Sequence, residues 1–252
     1  MRLAASKIAP AHGAGGNGAL ALDAVGLFEG VSPAQLGELA RLLRPRRFAA
    51  GEAIVEAEEP GDSAFVVHAG FVRVQVTQAD GAESILAILG PADVVGEMSV
   101  VDRLGRSATV VAHEPATLLA LDRATFSALL QRVPTISRNL NRVLSRRLRL
   151  ADAHIEALAT LEVDGRIAHQ LLAYAAEYGE PGPGGTRLPF HLTQGELAAL
   201  VGASRVRVNQ VLGDCKRLGY LSSDERHRIT VRDPVALAAV CGASGAPLPG
   251  RR

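Results

Sequence analysis

The stretch 96–110 brings groups suited to holding an anion into fifteen residues. Gly96 lets a ligand approach the backbone closely, and the next five residues are predicted to form a helical turn whose free N–H groups favour negative charge. The Arg106 fork suits a phosphate, Ser107 adds a hydroxyl donor, and the Glu97 carboxylate can accept from a sugar hydroxyl. These groups fit one phosphate beside one ribose. A surface ion pair between Glu97 and Arg106 is the alternative, but it would require neither the glycine nor the serine.

This stretch resembles the cyclic-nucleotide-binding cassette of the Crp/Fnr family of bacterial transcription regulators. The family pattern is G-E, a run of small or apolar residues, then R-[ST]-A, and the chain matches it at both ends. The resemblance implies that Arg106 and Ser107 bind the cyclic phosphate, while Glu97 binds the ribose 2′-hydroxyl. The nucleotide-binding residues expected in the cassette are Gly96, Glu97, Met98, Arg106, Ser107 and Ala108.

Length and composition allow one large or two medium domains. The chain has 252 residues, of which 48% are hydrophobic, enough for buried cores. Residues 1–162 carry 16 Lys and Arg against 18 Asp and Glu, whereas residues 163–252 carry 11 against 8. The C-terminal part is therefore the basic part.

The two cysteines, Cys215 and Cys241, form neither a disulfide framework nor a metal-ligand cluster. We therefore expect a reducing, cytoplasmic compartment and no metal site. No apolar run approaches the roughly twenty residues of a membrane span, and the N-terminus lacks a signal-peptide core. These features predict a protein without membrane partners.

Short β-rich runs with period two fill the segment 46–121, and turn residues separate them. This pattern indicates an antiparallel sandwich or barrel, and the family resemblance implies a jelly roll whose pocket the cassette helix caps. A helix starting at Ser32-Pro33 should cap this domain. His68 lies at the end of one run and His113 directly follows another, and we expect both to be ordinary sheet residues rather than haem ligands. The predicted strands are 53–56, 64–68, 71–77, 84–89, 108–112 and 117–121.

A long helix is predicted from about Thr135, after Pro134, to about Leu161. Apolar residues recur along it at intervals of four and three, which is the seam of a two-stranded coiled coil. The seam predicts a parallel homodimer, and a helix packed only on its own domain is the alternative. The residues of this seam are Leu144, Leu148, Ala151, Ile155 and Leu158.

The same helix departs from the family at the base contact. Cyclic-AMP-responsive members place a Thr-Ser or Thr-Asn pair there, one residue from each subunit binding the adenine amine, whereas this chain has Ala151 and Asp152. Alanine cannot hydrogen-bond, but an ionised Asp152 could accept from the adenine amine or from the paired N–H donors of guanine. Cyclic AMP, cyclic GMP, another cyclic nucleotide and a pocket without a ligand all stay open.

The segment 191–221 is typical of a helix-turn-helix that inserts its second helix into the major groove of DNA. Thr193 and Glu196 form a capping box, Gly202 provides the turn and Ser204 caps the second helix. A winged hairpin is predicted over 221–231. The residues expected to contact DNA are Thr193, Ser204, Arg205, Arg207, Asn209, Gln210, Arg226 and Arg228.

Two neighbouring segments complete the C-terminal part. The stretch 161–168 resembles the family hinge, with Asp164 as the predicted N-cap of the next helix, and 179–185 is predicted to be a loop. By resemblance, Arg205 matches an arginine that reads guanine. Val206 and Gln210 replace the glutamate and second arginine of the best-known members, so a different half-site is expected.

Together these features predict an α+β chain with an N-terminal antiparallel β jelly roll, a long dimerisation helix and a C-terminal winged helix-turn-helix. We expect a homodimer that binds a palindromic operator in double-stranded DNA under the control of a cyclic nucleotide, with no other cofactor. The resemblance implies RNA polymerase as a further partner. The predicted units are an arm (1–19), the jelly roll (20–133), the dimer helix (134–162), the DNA-binding domain (163–242) and a tail (243–252).

Three other functions of the chain are alternatives to this one. A regulator of the same family could act without an effector and retain a vestigial pocket. A cyclic-nucleotide-binding subunit acting on a protein partner is disfavoured by the basic helix-turn-helix. An enzyme is the weakest case, because the sequence shows no nucleophile–base pair or catalytic motif.

Overall fold

The computed structural model describes residues 22–78 and 81–242, so the predicted arm and tail lie outside the described residues. Two short 3-10 turns, Leu22–Ala24 and Gly26–Phe28, come first. The helices that follow are α1 (Pro33–Leu42), α2 (Glu97–Asp102), α3 (Arg123–Arg132), α4 (Pro134–Thr160), α5 (Val163–Tyr178), α6 (Gln194–Val201), α7 (Arg205–Arg217) and α8 (Pro234–Gly242).

The strands form antiparallel sheets throughout. Eight of them make a sandwich of two four-stranded sheets, ordered β1-β8-β3-β6 and β2-β7-β4-β5, and the other four form a C-terminal sheet ordered β11-β12-β10-β9. Their bounds are β1 (Arg44–Phe48), β2 (Ala53–Val55), β3 (Ser63–Ala69), β4 (Val72–Thr77), β5 (Glu83–Leu89), β6 (Val94–Val95), β7 (Thr109–Ala112), β8 (Ala116–Asp122), β9 (Glu180–Gly182), β10 (Gly185–Arg187), β11 (Leu221–Ser223) and β12 (Ile229–Val231).

The N-terminal sandwich confirms the predicted antiparallel β fold. Its core includes Val67, Val72, Ala112 and Leu118, all fully buried. The six predicted strands are present with shifts of one residue at their ends. Strand β1 was not predicted because it is largely exposed and polar, so it shows no apolar alternation. Also not predicted were β6, which has two residues, and α3, which Asp122 caps by accepting from the Thr125 N–H at 2.8 Å.

Helix α4 confirms the long predicted helix, and its two halves have different surroundings. The first half packs on the sandwich through buried Ile136 and Leu140. The second half exposes the predicted seam, with Leu148 64% exposed and Ile155 63% exposed. A helix packed only on its own domain would bury these side chains, so the stripe is open to a partner.

The C-terminal unit folds around α5, α6 and α7. The capping box of Thr193 and Glu196 and the cap at Ser204 are confirmed. The predicted cap at Asp164 is wrong: Glu162 is the N-cap residue of α5 and makes no side-chain cap. Asp164 lies inside the helix and accepts from Arg207 Nη2 at 2.6 Å, a tertiary contact that local sequence does not reveal. The predicted loop at 179–185 is wrong in part: Glu180–Gly182 form β9 and Gly185 begins β10, so only the turn between these strands is a loop.

The sandwich and the C-terminal unit share a hydrophobic core. Phe71 and Ile88 of the sandwich belong to the same cluster of buried residues as Tyr174 of α5. The Ile88 N–H donates to the Tyr174 hydroxyl at 3.1 Å, and the Tyr178 hydroxyl donates to Asp93 Oδ2 at 2.7 Å. Burial raises the pKa of Asp93, although the hydrogen bond from Tyr178 acts to lower it. The C-terminal unit is therefore docked on the sandwich through α5.

A buried amide fastens α4 to the turns before α1. Asn139 is 1% exposed and donates to the carbonyl oxygens of Leu27 at 3.2 Å and Glu29 at 2.7 Å. We expect Asn139→Ala to lower the free energy of unfolding by about 1–3 kcal/mol, since it leaves the two carbonyls without this donor. Urea unfolding measures the change, and Asn141→Ala, an exposed position on the same helix, is the control. Equal effects of the two substitutions would contradict this role.

Candidate ligand-binding cassette and nucleic-acid interface

Gly96 lies between β6 and α2 in a conformation that favours glycine. Its φ is +75°, in the left-handed region. A Cβ at this position would lie 2.5 Å from Arg106 Nη1 and 3.1 Å from the carbonyl oxygen of Ser63. The glycine is therefore needed both for the turn and for the close approach of the arginine to the backbone.

Arg106 is buried, with 5% of its surface exposed. Its Nη1 donates to the carbonyl oxygens of Ser63 and Gly96 at 2.8 and 2.9 Å and to Ser99 Oγ at 2.9 Å. Asp62 Oδ1 lies 3.7 Å from Nη2, on a side chain that is 87% exposed. Burial lowers the pKa of Arg106, and Asp62 opposes that shift. Glu59 and Glu97 act in the same direction as Asp62, and the hydrogen-bond acceptors of Nη1 are neutral, so the buried cation still favours an anion nearby.

Glu97 starts α2, and its side chain is 1% exposed. Its carboxylate pairs with Arg147 of α4, and Arg147 also donates to the carbonyl oxygen of Val94. The cassette is thus connected to the long helix by a charge pair. Arg147 was not among the predicted site residues. The sequence could have indicated this residue, because Arg147 lies four residues, about one helical turn, before the predicted site residue Ala151 and so shares its face of α4.

Other residues hold the cassette in place. Ser99 sits so close to Gly61 that a Cβ at Gly61 would lie 2.0 Å from Ser99 Oγ. Arg123 of α3 donates to the carbonyl oxygens of both residues. Sequence reasoning missed these contacts because the partners are separated along the chain.

The remaining predicted nucleotide-binding residues differ in exposure. Ala108 is buried, whereas Met98 and Ser107 are exposed. Ala151 and Asp152 are exposed on α4. The structure therefore brings Gly96, Glu97 and Arg106 together in the cassette. Ala151 and Asp152 lie on α4, which contacts the cassette through Arg147. The roles of these residues in ligand binding stay predictions.

Helix α7 presents a polar face to solvent. Val208, Val211 and Cys215 are buried beneath it, and Gln194 Nε2 donates to Asn209 Oδ1 at 2.7 Å. Of the residues expected to contact DNA, Arg207 and Arg228 are half-buried. The exposed ones are Thr193, Ser204, Arg205, Asn209, Gln210 and Arg226.

The predicted wing is the β11–β12 hairpin. Asp224 Oδ1 accepts from the backbone N–H groups of Arg226 and Arg228, both at 2.9 Å. The hydrogen bond from Arg228 is the main cause that lowers the pKa of Asp224. This carboxylate orders the turn from which exposed Arg226 projects.

Two family models match the chain. The cyclic nucleotide-binding domain matches residues 45–133, and the Crp-like helix-turn-helix domain matches residues 165–240. These ranges contain the cassette and the exposed face of α7, respectively. Among the described residues, no helix has the length and apolar character required to span a membrane.

The chain is also similar to named regulators. It is 36% identical to the CRP-like cAMP-activated global transcriptional regulator of Mycobacterium tuberculosis, covering 79% of this chain and 89% of that protein. It is 37% identical to the cyclic AMP receptor protein of Thermus thermophilus, covering 74% and 83%. The structure of the c-di-GMP responsive global regulator CLP of Xanthomonas campestris has a TM-score of 0.67 at 22% identity, covering 80% and 100%, and shows likeness of fold.

Removing Arg147 should leave the Glu97 carboxylate buried without its counter-charge. We expect Arg147→Ala to lower the free energy of unfolding by about 2 kcal/mol, less than for a fully buried pair because 29% of the Arg147 side chain is exposed. Adding Glu97→Gln should recover part of this loss, which a double-mutant cycle by urea unfolding measures. Arg149→Ala, at an exposed position on α4, is the control. Strictly additive effects of the two substitutions would refute the pairing.

Proposed function

Because the chain belongs to the Crp/Fnr family of DNA-binding transcription regulators, which are not enzymes, we propose that a cyclic nucleotide at the cassette controls its binding to DNA. The main support is the buried cation of Arg106, which lies beside Gly96 in a cassette that Glu97 connects to α4. An anionic ligand at this point would contact both the sandwich and the long helix.

The cassette offers complementary groups to a cyclic nucleotide. Arg106 supplies positive charge to the cyclic phosphate, and the exposed hydroxyl of Ser107 adds a donor. Glu97 accepts from the ribose 2′-hydroxyl. The two relatives above have names that refer to cyclic AMP, which favours the same class of effector here. Met98 and Ala108 complete the expected contacts.

The residues that contact the base differ from those that contact the phosphate. Asp152 is exposed on α4 and accepts hydrogen bonds only, so it suits the adenine amine or the two N–H donors on the guanine edge. Ala151 supplies no hydrogen bond. Cyclic AMP and cyclic GMP are therefore the two effectors to compare.

The functional unit in this proposal is a homodimer formed along α4. The exposed seam of Leu148, Ala151, Ile155 and Leu158 pairs with the same seam of a second chain. Two recognition helices then face successive major grooves of a palindromic operator, about one helical turn apart. The dimer acts on promoters in the cytoplasm, where RNA polymerase is its further partner.

Ligand binding and DNA binding are coupled through α4. A ribose hydroxyl that donates to Glu97 changes the surroundings of Arg147, and α4 leads through Leu161 and Glu162 into α5 of the DNA-binding unit. The nucleotide shifts the arrangement of the dimer only by its differential affinity for the two states.

One observation favours an effector-independent regulator as a second candidate. Nη1 of Arg106 is already hydrogen-bonded to Ser63, Gly96 and Ser99. The protein itself therefore provides acceptors for part of the guanidinium.

Calorimetric titration with cyclic AMP and cyclic GMP tests the nucleotide site. We expect one of them to bind, and Ser107→Ala to weaken binding about tenfold or more, because a hydrogen bond to a charged phosphate contributes about 1.5–3 kcal/mol. Ser107 is a better probe than buried Arg106, whose loss would disturb the cassette. Ser145→Ala, an exposed serine on α4, is the control. Failure of both nucleotides to bind a protein that still binds DNA would favour the effector-independent regulator.

Two arginines on the DNA-binding unit should have different effects. Arg205→Ala should cost about 1–3 kcal/mol of binding to the operator and relax specificity at one base pair. Arg226→Ala should weaken binding to all sequences and reduce the salt dependence by about one counterion. Fluorescence anisotropy over a range of salt concentrations measures both effects, with exposed Arg41→Ala of α1 as the control. If Arg41→Ala weakened DNA binding equally, the effect would come from net charge only.

A further inference from the structure

Two histidines and a glutamate meet where the sandwich contacts the helix-turn-helix. His113 directly follows β7, and His191 and Glu196 lie on either side of the start of α6. Each offers one nitrogen or carboxylate oxygen, and these three atoms all lie within 4.8 Å of one another. Imidazole nitrogens with a carboxylate oxygen are the donor set of zinc and related divalent metals.

His113 is the buried member of this cluster, with 3% of its surface exposed. Its Nε2 lies 2.8 Å from the carbonyl oxygen of His191. Since a carbonyl oxygen only accepts, the ring proton is on Nε2, which donates, and a neutral ring then presents a lone pair at Nδ1. Burial lowers the pKa of His113, which favours this neutral form.

Nδ1 of His113 faces the carboxylate of Glu196. It lies 3.3 Å from Glu196 Oε1 and makes no hydrogen bond within the described part of the chain. The Thr193 N–H and hydroxyl donate to the other carboxylate oxygen, Oε2, at 2.8 and 2.7 Å, which leaves Oε1 directed at the histidine. Two electron-rich atoms therefore face each other in a buried position, an arrangement that a cation between them would stabilise.

The charged groups around the cluster partly offset one another. Arg73 Nη1 lies 3.7 Å from Glu196 Oε1, while its Nε donates to Gln75 Oε1 at 2.6 Å. Glu114 Oε2 lies 3.9 Å from His191 Nδ1. The arginine thus offsets part of the charge of Glu196, and Glu114 adds a second carboxylate on the other side of His191.

The two imidazole rings are stacked, with centroids 4.3 Å apart and planes 9° apart. Their lone pairs therefore lie in two nearly parallel planes, and His191 must turn before both rings can direct a nitrogen at one ion. A third of its side chain is exposed, so the ring can turn towards the cluster.

We propose that His113, His191 and Glu196 bind a divalent transition-metal ion, with zinc as the best-fitting example. The hydrogen bond from the far nitrogen of His113 to a backbone carbonyl is the support that metal-binding histidines usually have. Three protein ligands leave a fourth position for water. The ion joins the end of β7 to the first helix of the helix-turn-helix, so its binding holds the DNA-binding unit on the sandwich.

Titration of the full chain, without an affinity tag, tests the site. Zinc in competition with a chromophoric chelator should show one ion per chain, and magnesium should not compete because it prefers oxygen ligands. His191→Gln should weaken zinc binding by at least about 100-fold, since loss of even an outer-shell partner costs about 10- to 100-fold. His154→Gln, on α4, is the matched control and should bind as the wild type does.

A second variant guards against a folding defect. Glu196→Gln keeps a residue able to complete the capping box with Thr193, and it should also lose the zinc site. Zinc should raise the melting temperature of the wild type but not of either variant. These readouts require neither a cyclic nucleotide nor DNA, so they are independent of the proposed function.

Three results would overturn the proposal. The wild type could bind no zinc at a saturable site, His191→Gln could bind it as tightly as the wild type, or His154→Gln could lose it equally. In the first of these cases, docking that varies with pH would assign the space between His113 and Glu196 to a proton.

Discussion

The charge pair between Glu97 and Arg147 is the contact on which the regulatory account depends. Glu97 is almost fully buried, and a buried carboxylate requires a counter-charge. That charge comes from α4, outside the cassette. Any ligand that takes Glu97 as an acceptor therefore acts on the long helix as well. The cassette and the exposed seam of α4 are in this way parts of one continuous structure.

A second set of contacts joins the sandwich to the DNA-binding unit directly. Phe71, Ile88 and Tyr174 form a common core, and His113 reaches the backbone of His191 at the start of the helix-turn-helix. With these contacts in place, the polar face of α7 is exposed to solvent on the side opposite the core of the C-terminal unit. The orientation of the recognition helix therefore depends on α4 and on the docking surface, and an ion at the histidine cluster would act on the second of these.

Contacts between residues that are close together in the sequence could be predicted, whereas contacts between residues far apart in the sequence could not. The capping box of Thr193 and Glu196 and the cassette from Gly96 to Ser107 are local patterns with local chemistry. Arg147 meets Glu97 across 50 residues, and His113 meets His191 across 78. Neither pairing leaves a periodic signal, so Arg147 was left out of the predicted site and His113 was expected to be an ordinary sheet residue. Asp164 was misassigned for the same reason, since its partner Arg207 lies 43 residues away.

Reciprocal linkage between nucleotide and DNA is the most direct test of the central claim. The affinity for an operator selected from a random DNA pool is measured with and without the bound nucleotide, and the nucleotide affinity with and without that operator. The account predicts the same factor in both directions, about 5- to 150-fold. Unchanged DNA affinity in a protein saturated with nucleotide would contradict it.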